Sequence, residues 1–357
     1  MDDTANVVYQ LFTNLNSQQQ AEILKKLNLS SPTSVPLPKP LDFQNLILSR
    51  NHGELEDRLN CPHCRSEHVV KNGHVRGAQR FVCKDCQKSF GLTNNTILFS
   101  TKKDIEVWQK YMECLADKLS LRKAAEKCEI SVETAFYWRH KILDTLRGLL
   151  DSLTLSGTIE ADETFFPQSY KGNHSKSGFT LPREAHERGG SNTTRGLSKE
   201  QVCVATAVDL GHNAIGKVSN LGNPSKEDLA NALAGRMKPN SVMVTEKTAA
   251  YGNIAQVNQV EHVRIPSGKR AVGIYNVQAC NLFHAYIKAL TNIVFRGVST
   301  KHLNNYVAYS GYVDFIKIAE MESYQEKLNY LQEYAFTAFS QTRCKLISKR
   351  DPLPVFN

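Results

Sequence analysis

Apolar residues recur at two spacings along this chain, and the change from one to the other divides it. Val8, Leu11, Leu15, Ile23, Leu24 and Leu27 surround a glutamine run at spacings that predict one or two short amphipathic helices, and the Ser/Pro-rich stretch from Ser30 to Pro40 reads as a linker. Two β-patterned pieces follow, at Val69 to His74 and Gln79 to Val82. From Asp104 the pattern turns helical, with Ile105, Trp108, Tyr111, Met112 and Leu115 on one face. Leu119 to Ile142 then reads as helix, turn, helix: Ala124 and Ala125 allow close packing, Ile130 and Ser131 form the turn, and Ser131 caps the second helix. On that second helix Glu133, Thr134, Tyr137, Arg139 and Lys141 are expected outside, and Val132, Phe136 and Ile142 inside. Beyond Gly157 the period falls to two.

Strands are predicted over Gly157 to Phe166, Val202 to Val208, Ala214 to Leu221, Ser241 to Val244 and Val260 to Ile265. A helix lies at Lys226 to Ala234, and a long one begins near Gln278. Three strands in series, a helix, a fourth strand and further helix is the order expected of a ribonuclease-H-like α/β domain. The expected fold is therefore such a domain preceded by a small β zinc ribbon and an α-helical helix-turn-helix domain. The boundaries are 1–50 for an N-terminal arm and linker, 51–98 for the ribbon, 99–150 for the helix-turn-helix, 151–318 for the α/β domain and 319–357 for a helical tail.

Composition and charge add a partner and a compartment. The 357 residues are 41% hydrophobic with a net charge of +9, and residues 61–150 hold sixteen Lys and Arg against ten Asp and Glu, a balance that favours a polyanion. No apolar run approaches a membrane span, and Met1-Asp2-Asp3 is not the start of a secretory signal, so a cytoplasmic, nucleoid-associated protein without a membrane partner is expected. Cys61-Pro-His-Cys64 and Cys83-Lys-Asp-Cys86 are two knuckles whose four thiolates complete a closed tetrahedral zinc site, structural in kind. Between Cys61 and Leu92 six basic residues face two acidic ones. Arg80, Lys84 and Lys88 are candidates for phosphate contacts there, as are Thr134, Tyr137, Arg139 and Lys141 on the second helix.

The candidate chemistry lies in Gly157 to Phe166. A period of two sends Glu160 and Asp162 to one face of the strand and Glu163 to the other. Acids on such a strand reach solvent at its end or pair with Lys171, or else they hold a cation. The strand Val242 to Glu246 ends in a second acid. On the later helix Asn281 and Lys288 are two turns apart on one face, with His284 and Ala285 between them. Two strand acids and a helix amide can then converge.

At these residues the chain resembles bacterial insertion-sequence transposases of the DDE superfamily, in the group with an N-terminal zinc ribbon and Asn in place of the third acid (DDNK type). The resemblance is carried by Cys61 to Phe90, Leu121 to Leu143, Ile159 to Thr164, Arg195 to Cys203, Asn281 to Lys288 and Phe295 to Tyr306. It implies Asp162, Glu246 and Asn281 as ligands of catalytic Mg²⁺ or Mn²⁺ and Lys288 as the trailing catalytic lysine. It also implies strand cleavage and transfer at terminal inverted repeats, with repeats and target DNA as double-stranded partners and at least a dimer to pair two ends. One position departs from the pattern: the family's second strand ends Thr-Asp, and here Thr245 is followed by Glu246. The alternative is accordingly a catalytically impaired, transposase-derived DNA-binding protein.

Overall fold

The computed structural model describes residues 59–75, 77–173, 180, 200–246, 249–312 and 323–350. Met1–Pro40 and Leu41–Asn357 form separate units, and every described residue belongs to the second. The expected N-terminal helices and linker lie outside the described residues, as does most of the polar segment 171–199.

Three short strands, β1 (Val69–Val75), β2 (Ala78–Cys83) and β3 (Ser89–Gly91), form an antiparallel sheet in that order. Its core is small: Cys61, Phe81, Cys83 and Phe90 are buried, and the rings of Phe81 and Phe90 stack at 5.8 Å. So few apolar side chains leave the ribbon dependent on a staple.

A helical core comes next. Helices α1 (Ile105–Ala116), α2 (Leu121–Lys127) and α3 (Val132–Leu150) appear where the apolar spacing predicted them, and the Ser120 and Ser131 hydroxyls accept from the N–H groups of Lys123 and Thr134 at the starts of α2 and α3. They do not stand apart as a domain. Trp108, Trp138, Ile142 and Leu146 share one hydrophobic cluster with Tyr306 and Tyr309 of the later helix α7 (Leu303–Tyr309) and with Leu328, Leu331 and Phe336 of α8 (Tyr324–Thr337). Helix α8, in the described part of the expected C-terminal tail, is thus part of this core.

The α/β region holds β4 (Thr158–Pro167), β5 (Gln201–Asp209), β6 (Ala214–Leu221), β7 (Val242–Glu246) and β8 (Glu261–Ile265) in one sheet of order β6-β5-β4-β7-β8. The first three strands pair antiparallel, and β7 and β8 run parallel to β4. This is the arrangement expected from the strand order in the sequence. Ile159, Ala161 and Met243 face α4 (Lys226–Leu233) and α5 (Gly252–Asn258), while Phe166, Val204 and Val208 face α6 (Gln278–Ala289) and α7. Both faces of the sheet are covered, which is why β5 is nearly continuous in apolar residues.

Candidate active site

The period of two holds along β4. Glu160 and Asp162 turn to the α6 face and Glu163 to the face covered by the α4 and α5 layer, beside Tyr251. Glu160, only 4% exposed, is not free: its Oε2 accepts from the Cys280 N–H at 3.0 Å, in the first turn of α6. That helix has no side-chain cap of its own, so a carboxylate from the neighbouring strand satisfies one of its open donors and meets the positive end of its dipole. Burial nevertheless raises the Glu160 carboxyl above its ordinary range.

Asp162 and Glu246 come together through register. The β4–β7 ladder pairs Glu160 with Val244 and Ala161 with Thr245, so the next parallel step sets Asp162 beside Glu246 on the same face. Burial first, then the charges of Glu163 and Glu246, push the Asp162 carboxyl up to about 7. Glu246 itself is exposed at the strand end, and the Thr245 hydroxyl donates to its carbonyl at 2.8 Å.

On the opposite side lies His284, buried on the inner face of α6 with Cys280, Phe283 and Ile287. It therefore does not share the outer face on which Asn281, Ala285 and Lys288 are exposed, as the sequence spacing had grouped it. Its Nε2 lies 2.6 Å from the Thr206 hydroxyl, which donates its one proton to the Asp162 carbonyl at 2.8 Å. The hydrogen-bond network thus assigns the second proton to His284 Nε2 and leaves the Nδ1 lone pair facing Asp162 Oδ2 at 3.9 Å. Burial, then Lys288, lowers this imidazole to about 4, so the contact is between a neutral ring and a carboxyl, not an ion pair.

Asn281 directly follows Cys280, the residue bonded to Glu160, and is exposed on α6; Lys288 lies two turns further along the exposed face. Composition gave no signal for the contributions of Glu160, Thr206 and His284. The cue available in the sequence was the alternation that sent Glu160 to the side of Asp162. The donor set of Asp162, Glu246 and the Asn281 amide fits a hard divalent cation: oxygen ligands, with one carboxyl held in a like-charged, desolvated setting that a cation would relieve.

The four knuckle cysteines also converge. Cys61, Cys64, Cys83 and Cys86 have sulfurs all within 4.8 Å of one another, with Cys61–Cys86 and Cys64–Cys83 at 3.6 Å. A tetrahedral ion with Zn–S bonds near 2.3 Å would separate its sulfurs by about 3.8 Å. The His63 N–H points to Cys61 Sγ at 3.4 Å and the Cys86 N–H to Cys83 Sγ at 3.5 Å. These backbone donors favour the thiolate, and the bond from Cys86 leads the set that lowers Cys83 to about 6.

Two expected groove contacts are corrected. Arg139 is 1% exposed and Lys141 6%, because α3 runs through the shared helical core with neighbours on nearly every side. Arg139 Nη2 donates to the Leu119 carbonyl with its guanidinium over the Phe295 ring, and Lys141 Nζ donates to the Ile97 carbonyl at 3.3 Å. Val132, expected inside, is exposed at the start of the helix. Thr134 and Tyr137 are partly exposed, as is Arg80, which bonds Ser89, while Lys84 and Lys88 are fully accessible on the ribbon.

Residues 154–312 match the family model described as an ISXO2-like transposase domain. That span runs from just before β4 to just after α7 and includes Asp162, Glu246, Asn281 and Lys288. A protein of Halobacterium salinarum described as an uncharacterized protein in transposable element ISH50 is 24% identical over 255 residues, covering 69% of this chain and 82% of that one. Among solved structures, a pre-cleavage Mos1 transpososome covers 70% of this chain and 81% of its own at 12% identity and a TM-score of 0.29. The Mos1 mariner paired end complex with Mn covers 65% and 79% at 11% identity and the same TM-score. Scores that low carry no weight, and the likeness to transposases rests on the family match over residues 154–312. Together with the relative from a transposable element, it supports an insertion-sequence transposase. None of the described helices is long and apolar enough to cross a membrane.

Proposed function

We propose that this protein is a DNA transposase of the DDE kind that binds the terminal inverted repeats of an insertion sequence and catalyses metal-dependent strand cleavage and strand transfer. The observation that carries the reading is the parallel β4–β7 register, which brings Asp162 in the middle of β4 beside Glu246 at the end of β7, next to the helix that carries Asn281. Asp162, Glu246 and Asn281 would hold Mg²⁺ or Mn²⁺, ions that supply Lewis acidity to a phosphodiester and lower the pKa of a bound water or 3′-hydroxyl. Glutamate at position 246 reaches one methylene further than aspartate, and its exposed strand-end position gives that extra length room to adjust. Lys288 would hold a DNA phosphate next to the reacting one, and Glu160 keeps Asn281 in place by anchoring α6 to β4. Neutral His284 holds the Asp162 backbone through Thr206.

Zinc at Cys61, Cys64, Cys83 and Cys86 would staple the ribbon, where Arg80, Lys84 and Lys88 offer positive charge to duplex phosphates, and Thr134 and Tyr137 at the start of α3 would add to that contact. Pairing two element ends calls for at least a dimer, and a cytoplasmic, nucleoid-associated location follows from the substrate.

The test uses zinc-loaded full-length protein, duplex DNA bearing the element's ends, and Mg²⁺ or Mn²⁺. Nicking at the repeat boundary by wild type and none by Asp162→Ala supports the reading. Specific binding with no nicking by either protein would make this a DNA-binding descendant of such enzymes.

A further inference from the structure

A cavity of about 610 Å³ opens where the start of α2 and α3 meets the segment between α6 and α7. The volume falls in the range of small-molecule sites, about 300–1,000 Å³. Its walls are cationic: Arg122, Arg139, Lys171, Arg296 and Lys301 all line it, and no carboxylate among the described residues does. The nearby Asp144 is engaged elsewhere, with Arg350, Asn305 and Thr342.

Three further atoms in this wall lack partners. Arg139 Nε, His140 Nδ1 and His302 Nε2 are buried and make no hydrogen bond among the described residues, and all three side chains are more than nine-tenths buried. These atoms have almost no accessible surface of their own, so an occupant would meet the accessible cations of the wall, Arg122, Arg296 and Lys301, rather than the orphans. The imidazoles of His140 and His302 stack at 3.8 Å, and both are held neutral by burial and by surrounding cations, Arg350 and Lys301 among them. Among the described residues, none in the wall offsets that positive charge.

The same walls carry apolar rings. Phe136 and Phe295 line the cavity, and the Arg139 guanidinium lies over the Phe295 ring at 4.7 Å. Cations beside partly exposed aromatic rings are the combination that holds an unpaired nucleotide, phosphate on the charges and base on the rings.

We propose that this cavity is a nucleotide subsite: it takes one unpaired nucleotide of a DNA strand, with the phosphate among Arg122, Arg296 and Lys301 and the base against Phe136 and Phe295. The inference rests on the transposase reading and adds to it a binding position lined by none of the acids, Asn281 or Lys288. Lys171 has a supporting task, since its Nζ donates to the carbonyls of Arg296 and Gly297 at 2.9 and 3.0 Å and fixes the turn that presents Arg296.

The experiment is fluorescence anisotropy of a labelled 5′-phosphorylated oligothymidylate with zinc-loaded full-length protein over a range of salt, with dTMP as competitor. Arg122 and Arg296 are exposed, so their joint reversal, Arg122→Glu with Arg296→Glu, leaves the core intact, which a thermal melt verifies. The double variant is expected to bind at least about tenfold more weakly, with the salt slope lower by about 0.7 for each phosphate no longer neutralised. Phe136→Leu is expected to weaken binding roughly 5- to 150-fold at unchanged slope. Lys238→Glu, exposed and outside the cavity, should leave single-strand binding as in wild type.

Equal affinity and slope in wild type and the double variant, while wild type still nicks duplex, would overturn this inference alone. Binding of dTMP as tight as that of the strand, with no binding of duplex, would leave a free-nucleotide site and remove both the DNA source and the transposase reading. Absence of binding by every probe would overturn both.

Discussion

The backbone N–H of Cys280 donates to Glu160 Oε2 at 3.0 Å, so an acid on the central strand closes the first turn of the helix that carries Asn281. The strand with Asp162 and the helix with Asn281 are thereby locked together within two residues of each site group. Glu160→Ala would leave a buried helix-terminal N–H without a partner, at a cost of about 1–3 kcal/mol. Glu160→Gln keeps an acceptor oxygen and is expected to lose less. Urea denaturation measures the order, and nicking activity should follow it; equal stability of the two variants would show that the bond does not hold the helix.

The raised carboxyl of Asp162 sets a pH dependence of stability in metal-free protein. Its folded value of about 7 lies above the ordinary aspartate value of about 3.9. Between those limits the folded state retains a proton that the unfolded chain has released. The contribution is therefore complete below about pH 4 and is lost as pH rises through 7, a change on the order of a few kcal/mol. Glu160 and Glu163, both raised by burial, act in the same direction. Asp162→Asn should flatten the slope and make the protein more stable than wild type above pH 7. Denaturant midpoints across pH 4 to 8 decide it, and a stability that rises with pH in wild type alone would contradict the assignment.

Chelation should act locally. With only four buried residues in its core, two of them cysteines, the ribbon is expected to lose its structure when zinc is removed or when Cys83 is changed to Ser. Proteolysis within residues 59–92 and loss of one bound zinc per chain are the expected readouts. The melting of the α/β region should not move, because its three hydrophobic clusters contain no ribbon residue. An intact ribbon in chelator would mean that the thiols are not ligands.

Much of this site was legible in the sequence, for a reason particular to strands. A period of two is rigid, so the sequence Glu160-Ala-Asp162-Glu163 already determined which acids share a face, and apolar runs bounded the five strands of the sheet. Helix α3 was less legible. Its 19 residues carry Arg139, His140 and Lys141 in a row, which reads as a solvated face. The groups that meet them lie elsewhere in the chain, Phe295 over Arg139, His302 against His140 and Ile97 and Trp108 at Lys141, and local pattern holds no record of them. Separation along the chain likewise hid the pairing of Glu160 with α6, which only register and helix position reveal.

The buried setting of Lys141 gives a test of that correction. Its Nζ donates to the Ile97 carbonyl and lies 5.9 Å from the centre of the Trp108 ring, and burial lowers its pKa. Lys141→Met keeps the volume and removes a desolvated cation, so stability should stay within about 1.5 kcal/mol. The salt dependence of duplex binding should also be unchanged. A lysine on the phosphate backbone would instead lower the slope of log K against log salt by about 0.9.

The claim on which the rest depends is that Asp162, Glu246 and Asn281 share a divalent cation. Crystals grown with Mn²⁺ and measured at its absorption edge test it most directly. The account predicts an anomalous peak within about 2.5 Å of an oxygen from both Asp162 and Glu246, absent in Asp162→Asn. A map with no peak between these strands, or one unchanged in the variant, would contradict it.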